Sequence, residues 1–418
     1  MKYTSPLTTS LNRRSFLKSA ALASGAALIG FPRVEAALPK AKITRVRVYT
    51  PPNLNTLFNQ SNMVVTVETD AGLTGIGEGG SRDTLEQCAS RLIGRNPFSI
   101  ERCWQDMYRA FFYPPGREKI HALGALDMAL WDIKGKALGV PVYDLLGGMA
   151  RNHCECYGAG GGRGTQLKER ARAIIEAGYR AFRMDAAGLG QGGNNVYNTH
   201  ERVRQVVQDC KDVREGVGKD GDWLIDLHQR FDFSDAMRAC KQLEDLEPYL
   251  VEDPVRTEAF LEDIPKLRKL TTVPLAAGEE WGQRWDFNKL VENHDLDYVR
   301  VTLPNVGGIT EMVKVAAICE THFVGIVPHF TGPISTAALV HALGSFSGPV
   351  LVEIGGNARP FNYLPQCLDF KNGKLWPNDR PGLGVTLEMS QLKQISEITE
   401  VGTGRITYQR PDGSQTNW

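Results

Sequence analysis

From Cys154 onward, short apolar runs with strand character recur near Cys156, Phe182, Ile225, Val251, Leu275, Val301, Ile326 and Val352. Most neighbouring runs are about 25 residues apart, which leaves room for one strand, one loop and one helix and little else. A helix between consecutive strands returns the chain to the edge it started from, so the strands must run parallel. Eight such units are the number that closes a sheet on itself. The pattern therefore predicts an α/β architecture of TIM type, a closed (β/α)₈ barrel, over residues 151–356. One step breaks the rhythm. Between Phe182 and Ile225 the excess is the glycine-rich stretch Gly188-Leu189-Gly190-Gln191-Gly192-Gly193-Asn194-Asn195. An insertion on the C-terminal side of a strand lies over the barrel mouth, where such folds keep their chemistry. It lacks the Lys-Ser/Thr ending of a phosphate loop and the dinucleotide spacing.

Upstream, residues 41–150 read as a separate α+β capping domain. Ile43 to Tyr49 and Met63 to Thr69 alternate apolar and polar residues, as half-buried antiparallel strands do, and Asp70-Ala71-Gly72 supplies a hairpin turn. Leu123, Leu126, Leu130 and Ile133 recur at helical spacing, predicting a helix over Ala122 to Ala137. After Glu353 the barrel pattern stops. The tail, residues 357–418 with Arg380-Pro381-Gly382-Leu383-Gly384-Val385, is predicted to return to the capping domain and complete it.

Residues 1–36 have the layout of an export signal. Arg13 and Arg14 precede an apolar run from Ala20 to Phe31, and Val34-Glu35-Ala36 resembles a small-residue cleavage site. The apolar run is too short to span a bilayer, and the arginine pair points to the twin-arginine route, giving a soluble periplasmic mature protein. The eight cysteines are scattered through a chain long enough not to need disulfide staples. Cys154 and Cys156 point the same way from one strand, so buried thiols are expected. Lysine plus arginine and aspartate plus glutamate both number 48, which leaves no electrostatic case for a nucleic-acid partner. A symmetric homo-oligomer is the default expectation.

Acidic residues stand at the tips of three successive barrel strands: Asp226 ends the third, Glu252 the fourth and Glu279 the fifth. Neighbouring parallel strands place these carboxylates side by side, and like charges so crowded need a cation between them. Hard oxygen ligands with room for water and substrate suit Mg²⁺. Two residues after Asp226, His228 points into the same mouth. His329 ends the seventh strand.

This series resembles the enolase superfamily, in the branch of mandelate racemase, muconate lactonizing enzyme and the sugar-acid dehydratases. So do His121-Ala122-Leu123-Gly124-Ala125-Leu126-Asp127-Met128-Ala129-Leu130-Trp131-Asp132, Val306-Gly307-Gly308-Ile309-Thr310-Glu311 and Val327-Pro328-His329. The resemblance implies abstraction of the proton next to a substrate carboxylate, Mg²⁺ stabilising the enediolate, and loss of the 3-hydroxyl to give a 2-keto-3-deoxy acid. It further implies that His228 is the acid assisting the leaving hydroxyl and His329 a base. On the second strand, the racemase pattern of two lysines is replaced by Phe182-Arg183-Met184-Asp185. Arginine cannot lose its proton, but it can clamp a carboxylate or lower the pKa of a tyrosine. This is similar to the mannonate dehydratases, which pair such an arginine with a loop tyrosine, here Tyr197. Asp185, Glu353 and Trp281 are expected at the substrate, a small sugar acid, with Arg183. Thr302 stands where many members carry an aspartate that partners the seventh-strand histidine. Specificity is expected from the loop Asn53 to Ser61 and the glycine-rich insertion.

A β-elimination needs one base and one acid, whereas two-base racemisation lacks its second-strand lysine, so a dehydratase (a hydro-lyase) is the favoured reading. A cycloisomerase or epimerase using the same enolate, and a catalytically silent sugar-acid binding protein, are the alternatives. The export reading is directly testable. Replacing both Arg13 and Arg14 by lysine should leave folded protein in the cytoplasm, and fractionation showing unchanged periplasmic recovery would refute it.

Overall fold

Eight parallel strands form the barrel: β4 (Cys154–Gly160), β5 (Ala181–Asp185), β6 (Asp222–Asp226), β7 (Leu250–Glu252), β8 (Leu275–Ala277), β9 (Tyr298–Val299), β10 (Gly325–Ile326) and β11 (Leu351–Glu353). They pair in chain order from β4 to β10, β11 pairs with β4, and a bridge between Ile326 and Val350 closes the ring. The structure is a computed structural model and describes residues 38–52, 63–111, 113, 115–185, 198–256, 260–330, 332–354, 361–402 and 407–417. The N-terminal segment 1–36, the loop Asn53 to Ser61, the glycine-rich insertion and Tyr197 all lie outside the described residues.

Along each strand the side chains alternate between the inside of the barrel and its helical jacket, because successive Cβ atoms point to opposite faces. Tyr157, Ala181, Leu224, Leu250, Ala276, Val327 and Leu351 pack together as one buried cluster that plugs the interior. Their chain neighbours Cys156, Phe182, Ile225, Val251, Leu275 and Val352 belong instead to the large core shared with the helices. One more inward step along the second, third, fourth and eighth strands gives Arg183, Asp226, Glu252 and Glu353. The apolar plug thus fixes the depth at which the polar residues begin.

The sixth strand differs from expectation. It covers Tyr298–Val299, ahead of Val301, because a short helix, Leu303–Val306, starts at once with Pro304 in its first turn. Proline there suits a helix start and cannot extend a ladder of backbone hydrogen bonds.

The cap is a four-stranded antiparallel sheet in the order β14 (Lys393–Ile398), β1 (Ile43–Thr50), β2 (Val64–Thr69), β3 (Thr74–Glu78). The predicted turn joins β2 to β3, with Gly72 in the left-handed region at φ +74°. The long helix Arg117–Leu138 is buried around most of its circumference, between this sheet and the barrel. Close approach explains the glycine alternation in β3. A Cβ on Gly75 or Gly77 would lie 2.0 or 1.9 Å from the backbone oxygens of Ala129 and Ala125 on that helix. The tail divides its allegiance. Its hairpin β12 (Asp369–Lys371) and β13 (Lys374–Trp376) adds antiparallel to barrel strand β4, and only afterwards does β14 join the cap sheet.

Buried acids from the cap grip the first turns of barrel helices. Asp127 accepts from the Thr310 backbone N–H (2.9 Å) and hydroxyl (2.6 Å) at the start of helix Ile309–Thr321. Glu78 accepts from the Ser335 N–H (2.9 Å) and hydroxyl (3.1 Å) in helix Pro333–Ala342. Asp132 accepts from the N–H groups of Ile76 (2.9 Å) and Leu383 (2.8 Å), and Trp104 Nε1 donates to the Gly307 carbonyl (2.9 Å). Helix N-termini are natural anion sites, which offsets part of the cost of burying these carboxyls. All eight cysteines are free, and seven are buried. Among the described residues no helix is long and apolar enough to cross a membrane.

Burial pushes the Glu78 carboxyl up to about 7 against the hydrogen bonds from Ser335. The unfolded chain therefore releases this proton first. The stabilisation is fully present below the ordinary carboxylate pKa and is lost as pH rises through 7, by about 3 kcal/mol in all. Glu78→Gln, the isostere of the protonated acid, should remove that share of the difference between urea midpoints at pH 5 and pH 8. An unchanged difference would show that Glu78 does not couple folding to pH.

Candidate active site and metal centre

Asp226, Glu252 and Glu279 come together at the mouth, with one carboxylate oxygen from each lying within 4.8 Å of the others. Inward alternation carries Asp226 and Glu252 there directly, and their strands are in register, Asp226 opposite Glu252 and also opposite Asp185. Glu279 is one position out of phase with Ala276. Gly278 intervenes at φ +122°, a conformation side-chain-bearing residues rarely adopt, and the chain turns there. Past the turn, the Glu279 carbonyl accepts from Thr302 Oγ1 (2.9 Å) and Asn305 Nδ2 (3.1 Å). Thr302, in place of an aspartate, thus fastens the backbone beside Glu279.

The three carboxylates could hold one cation. Glu252 Oε2 and Glu279 Oε2 are buried without a hydrogen-bond donor, with guanidinium nitrogens of Arg183 and Arg300 at 3.9 and 4.0 Å respectively, an expensive arrangement that a bound cation would relieve. Burial pushes the Glu252 carboxyl up to about 7 despite Arg300, and raises Glu279 well above its ordinary value. Burial alone would raise Asp226 too. The hydrogen bond from His228 and the Arg183 charge outweigh it and hold Asp226 below the usual range.

The two histidines stand at the two ends of this row. His228 Nε2 lies 2.8 Å from Asp226 Oδ2, while its backbone N–H donates to Asp226 Oδ1 (2.7 Å). Its φ is +49°, and Gln229 and Asp253 beside it are also left-handed, at +58° and +45°. Strained backbone of this kind concentrates where a side chain must be aimed. Burial would lower the His228 pKa, but Asp226 more than compensates and raises it. His329 Nε2 lies 3.5 Å from Glu279 Oε2, and its Nδ1 is buried without a partner. Burial depresses His329 to about 4, so its imidazole is neutral near pH 7.

Arg183 faces carboxylates on every side. Its guanidinium lies 3.0 Å from Asp185, 3.3 Å from Asp226 and 3.0 Å from Glu353. A substrate carboxylate would have to displace one of these, so in this arrangement the arginine balances protein charge. Glu353 is gripped from both sides, by Arg183 and by Arg300 Nη2 at 2.7 Å, and the two guanidinium groups outweigh burial to hold its pKa far below the ordinary range. Trp281 is buried, 6% exposed, and packs edge-on against Phe287 just past the turn at Gly278.

Arg300 is the largest omission from the sequence reading. It lies just past β9, is wholly buried, and contacts Glu252 and Glu353. The available signal was an arginine flanked by Val299 and Val301 in an apolar run, a setting that demands buried partners. Asp253, buried beside Glu252 and accepting from Gln229 Nε2 (2.9 Å), was also passed over.

Comparison with known proteins identifies the family. Residues 40–147 match the mandelate racemase/muconate lactonizing enzyme N-terminal domain, and residues 166–391 match the enolase C-terminal domain-like family. A D-galactonate dehydratase from Pectobacterium atrosepticum is 33% identical over 395 residues, covering 90% of this chain and 100% of that protein. One from Xanthomonas oryzae pv. oryzae is 36% identical over 371 residues, covering 84% and 95%. A solved structure of an enolase superfamily member from Salmonella Typhimurium superposes with a TM-score of 0.75 at 27% identity, covering 86% of this chain and 99% of that one.

If the acidic row is a cation site, Glu252→Gln should preserve the circular dichroism spectrum while weakening Mg²⁺ binding by about tenfold or more. Equal calorimetric affinity in the variant would remove Glu252 from the site.

Proposed function

The chain belongs to the mandelate racemase/muconate lactonizing enzyme family of the enolase superfamily, and from that premise we propose that it is a Mg²⁺-dependent sugar-acid dehydratase, a hydro-lyase. The observation that carries this reading is the row Asp226, Glu252, Glu279 with a histidine at each end. Mg²⁺ held by the three carboxylates would supply positive charge against the substrate carboxylate, where a second negative charge develops as the α-proton leaves.

The chain's own residues do the rest. His329, with a free Nδ1 and a neutral ring, accepts the α-proton. The C–H electron pair becomes the new carbon–carbon double bond. His228 gives a proton to the departing 3-hydroxyl, which leaves as water. The resulting enol takes up a proton at C3, gives up its C2 hydroxyl proton and becomes the 2-keto-3-deoxy acid. Arg183 and Arg300 hold Glu353 as a fixed anion behind the reacting centre, and Asp185 is tied to Arg183 at the substrate side. Relatives named D-galactonate dehydratase make D-galactonate the first substrate to test. Tyr197 is the alternative base. Residues 1–36 direct the protein to the periplasm.

The histidine roles are separable. With substrate in deuterated solvent, His329→Asn should lose both α-proton exchange and product. His228→Asn should lose product by about a hundredfold or more yet retain exchange. Exchange that survives in His329→Asn and vanishes in Tyr197→Phe would transfer the base to the tyrosine. A panel of aldonic and uronic acids giving no 2-keto-3-deoxy product would sink the dehydratase reading.

A further inference from the structure

Arg300 is more tightly tied than any substrate-binding arginine needs to be. Its Nε donates to Glu252 Oε1, and its Nη2 lies 2.7 Å from Glu353 Oε2. Its Nη1 donates to the carbonyls of Val327 (2.8 Å) and Pro328 (3.1 Å). These partners come from the ends of the fourth, seventh and eighth strands, so one planar fork joins four strand tips around the ring. The side chain is 0% exposed, which leaves the guanidinium no face toward the mouth.

The consequence falls on Glu252. A carboxylate with two open oxygens can rotate and bind a cation in several ways. Here Oε1 is taken by Arg300, and Oε2 is left buried without a hydrogen-bond donor in the cluster with Asp226 and Glu279. We propose that Arg300 is a positioning residue for the metal centre: by holding Glu252 Oε1 it presents Oε2 as the single ligand oxygen and fixes its direction. This rests on the cation reading of the acidic row given above. A lysine could keep the charge but could not reproduce the fork, since an ammonium group is a point donor and cannot serve Glu252, Glu353 and two carbonyls at fixed angles.

Orientation and charge predict opposite signs, which makes the idea testable. Arg300 is itself a cation beside a cation site. If only its charge mattered, removing it would relieve repulsion and strengthen metal binding. If it orients Glu252, removing it weakens binding. The experiment is calorimetric titration of the full chain with Mg²⁺ and with Mn²⁺, alongside the metal-induced rise in melting temperature, which reports binding to the folded state. Arg300→Met and Arg300→Lys should both bind about 10- to 100-fold more weakly than the parent, as loss of an outer partner of a ligand does. Unchanged or tighter binding by Arg300→Met, or parental affinity in Arg300→Lys, overturns the proposal. Should both variants fail to fold, Glu353→Gln decides. It removes one of the four ties and a negative charge but leaves Arg300 on Glu252, so affinity should stay near parental. A loss as large as that of Glu252→Gln would show that net charge, not orientation, governs the site. A parent chain that binds neither cation would remove the metal reading and this inference together.

Discussion

A crowd of buried carboxyls shares the inner mouth of the barrel, and its electrostatics set the terms for everything built around it. Asp226, Glu252, Asp253, Glu279 and Glu353 are buried carboxyls, and the guanidinium groups of Arg183 and Arg300 stand among them, with His228 and His329 at the two ends of the row. Buried charge of one sign is costly, and two guanidinium groups cannot neutralise five carboxylates. The imbalance is spread unevenly. Glu353, between both arginines, stays ionised, while Glu252, Asp253 and Glu279 are pushed toward the protonated form by burial. Such a cluster could hold a cation, and the scaffold must be stiff enough to keep it from relaxing outward.

That stiffness comes from below and from the sides. The apolar plug from Tyr157 to Leu351 leaves no space for the charged layer to sink, and the parallel register sets Asp185, Asp226 and Glu252 at one height. Hydrogen bonds from Thr302 and Asn305 to the Glu279 carbonyl stop the fifth loop from swinging. The same close packing makes the interior intolerant of volume changes, as in any well-packed core.

Legibility in the sequence followed the range of the interactions involved. The barrel showed in the spacing of apolar runs, because each strand–helix unit is a local solution to burying one face. Asp226, Glu252 and Glu279 showed because strand ends with acidic residues are local features too. Arg300 did not, since its meaning lies in partners 48 and 53 residues away in the chain. The burial of Trp281 was not legible for a related reason: nothing in its neighbours announces the turn at the glycine three positions earlier. The tail was half legible. Its return to the cap follows from β14, but its hairpin adds to β4, an attachment that depends on edge hydrogen bonds with no side-chain pattern to betray them.

The four polar tethers of the cap, three to the barrel and one to the tail, have a mechanical meaning. Asp127 holds Thr310, Glu78 holds Ser335, Trp104 holds Gly307 and Asp132 holds Leu383. A lid that swings needs an axis, and an axis survives only if the attachments fall along one line. These attachments involve strand β3, two different cap helices, two barrel helices and the tail. With the anchorage distributed in this way, the cap cannot pivot as a body without breaking several buried bonds at once. It serves as a fixed wall, fastened to the barrel as firmly as the barrel's own helices are to its strands.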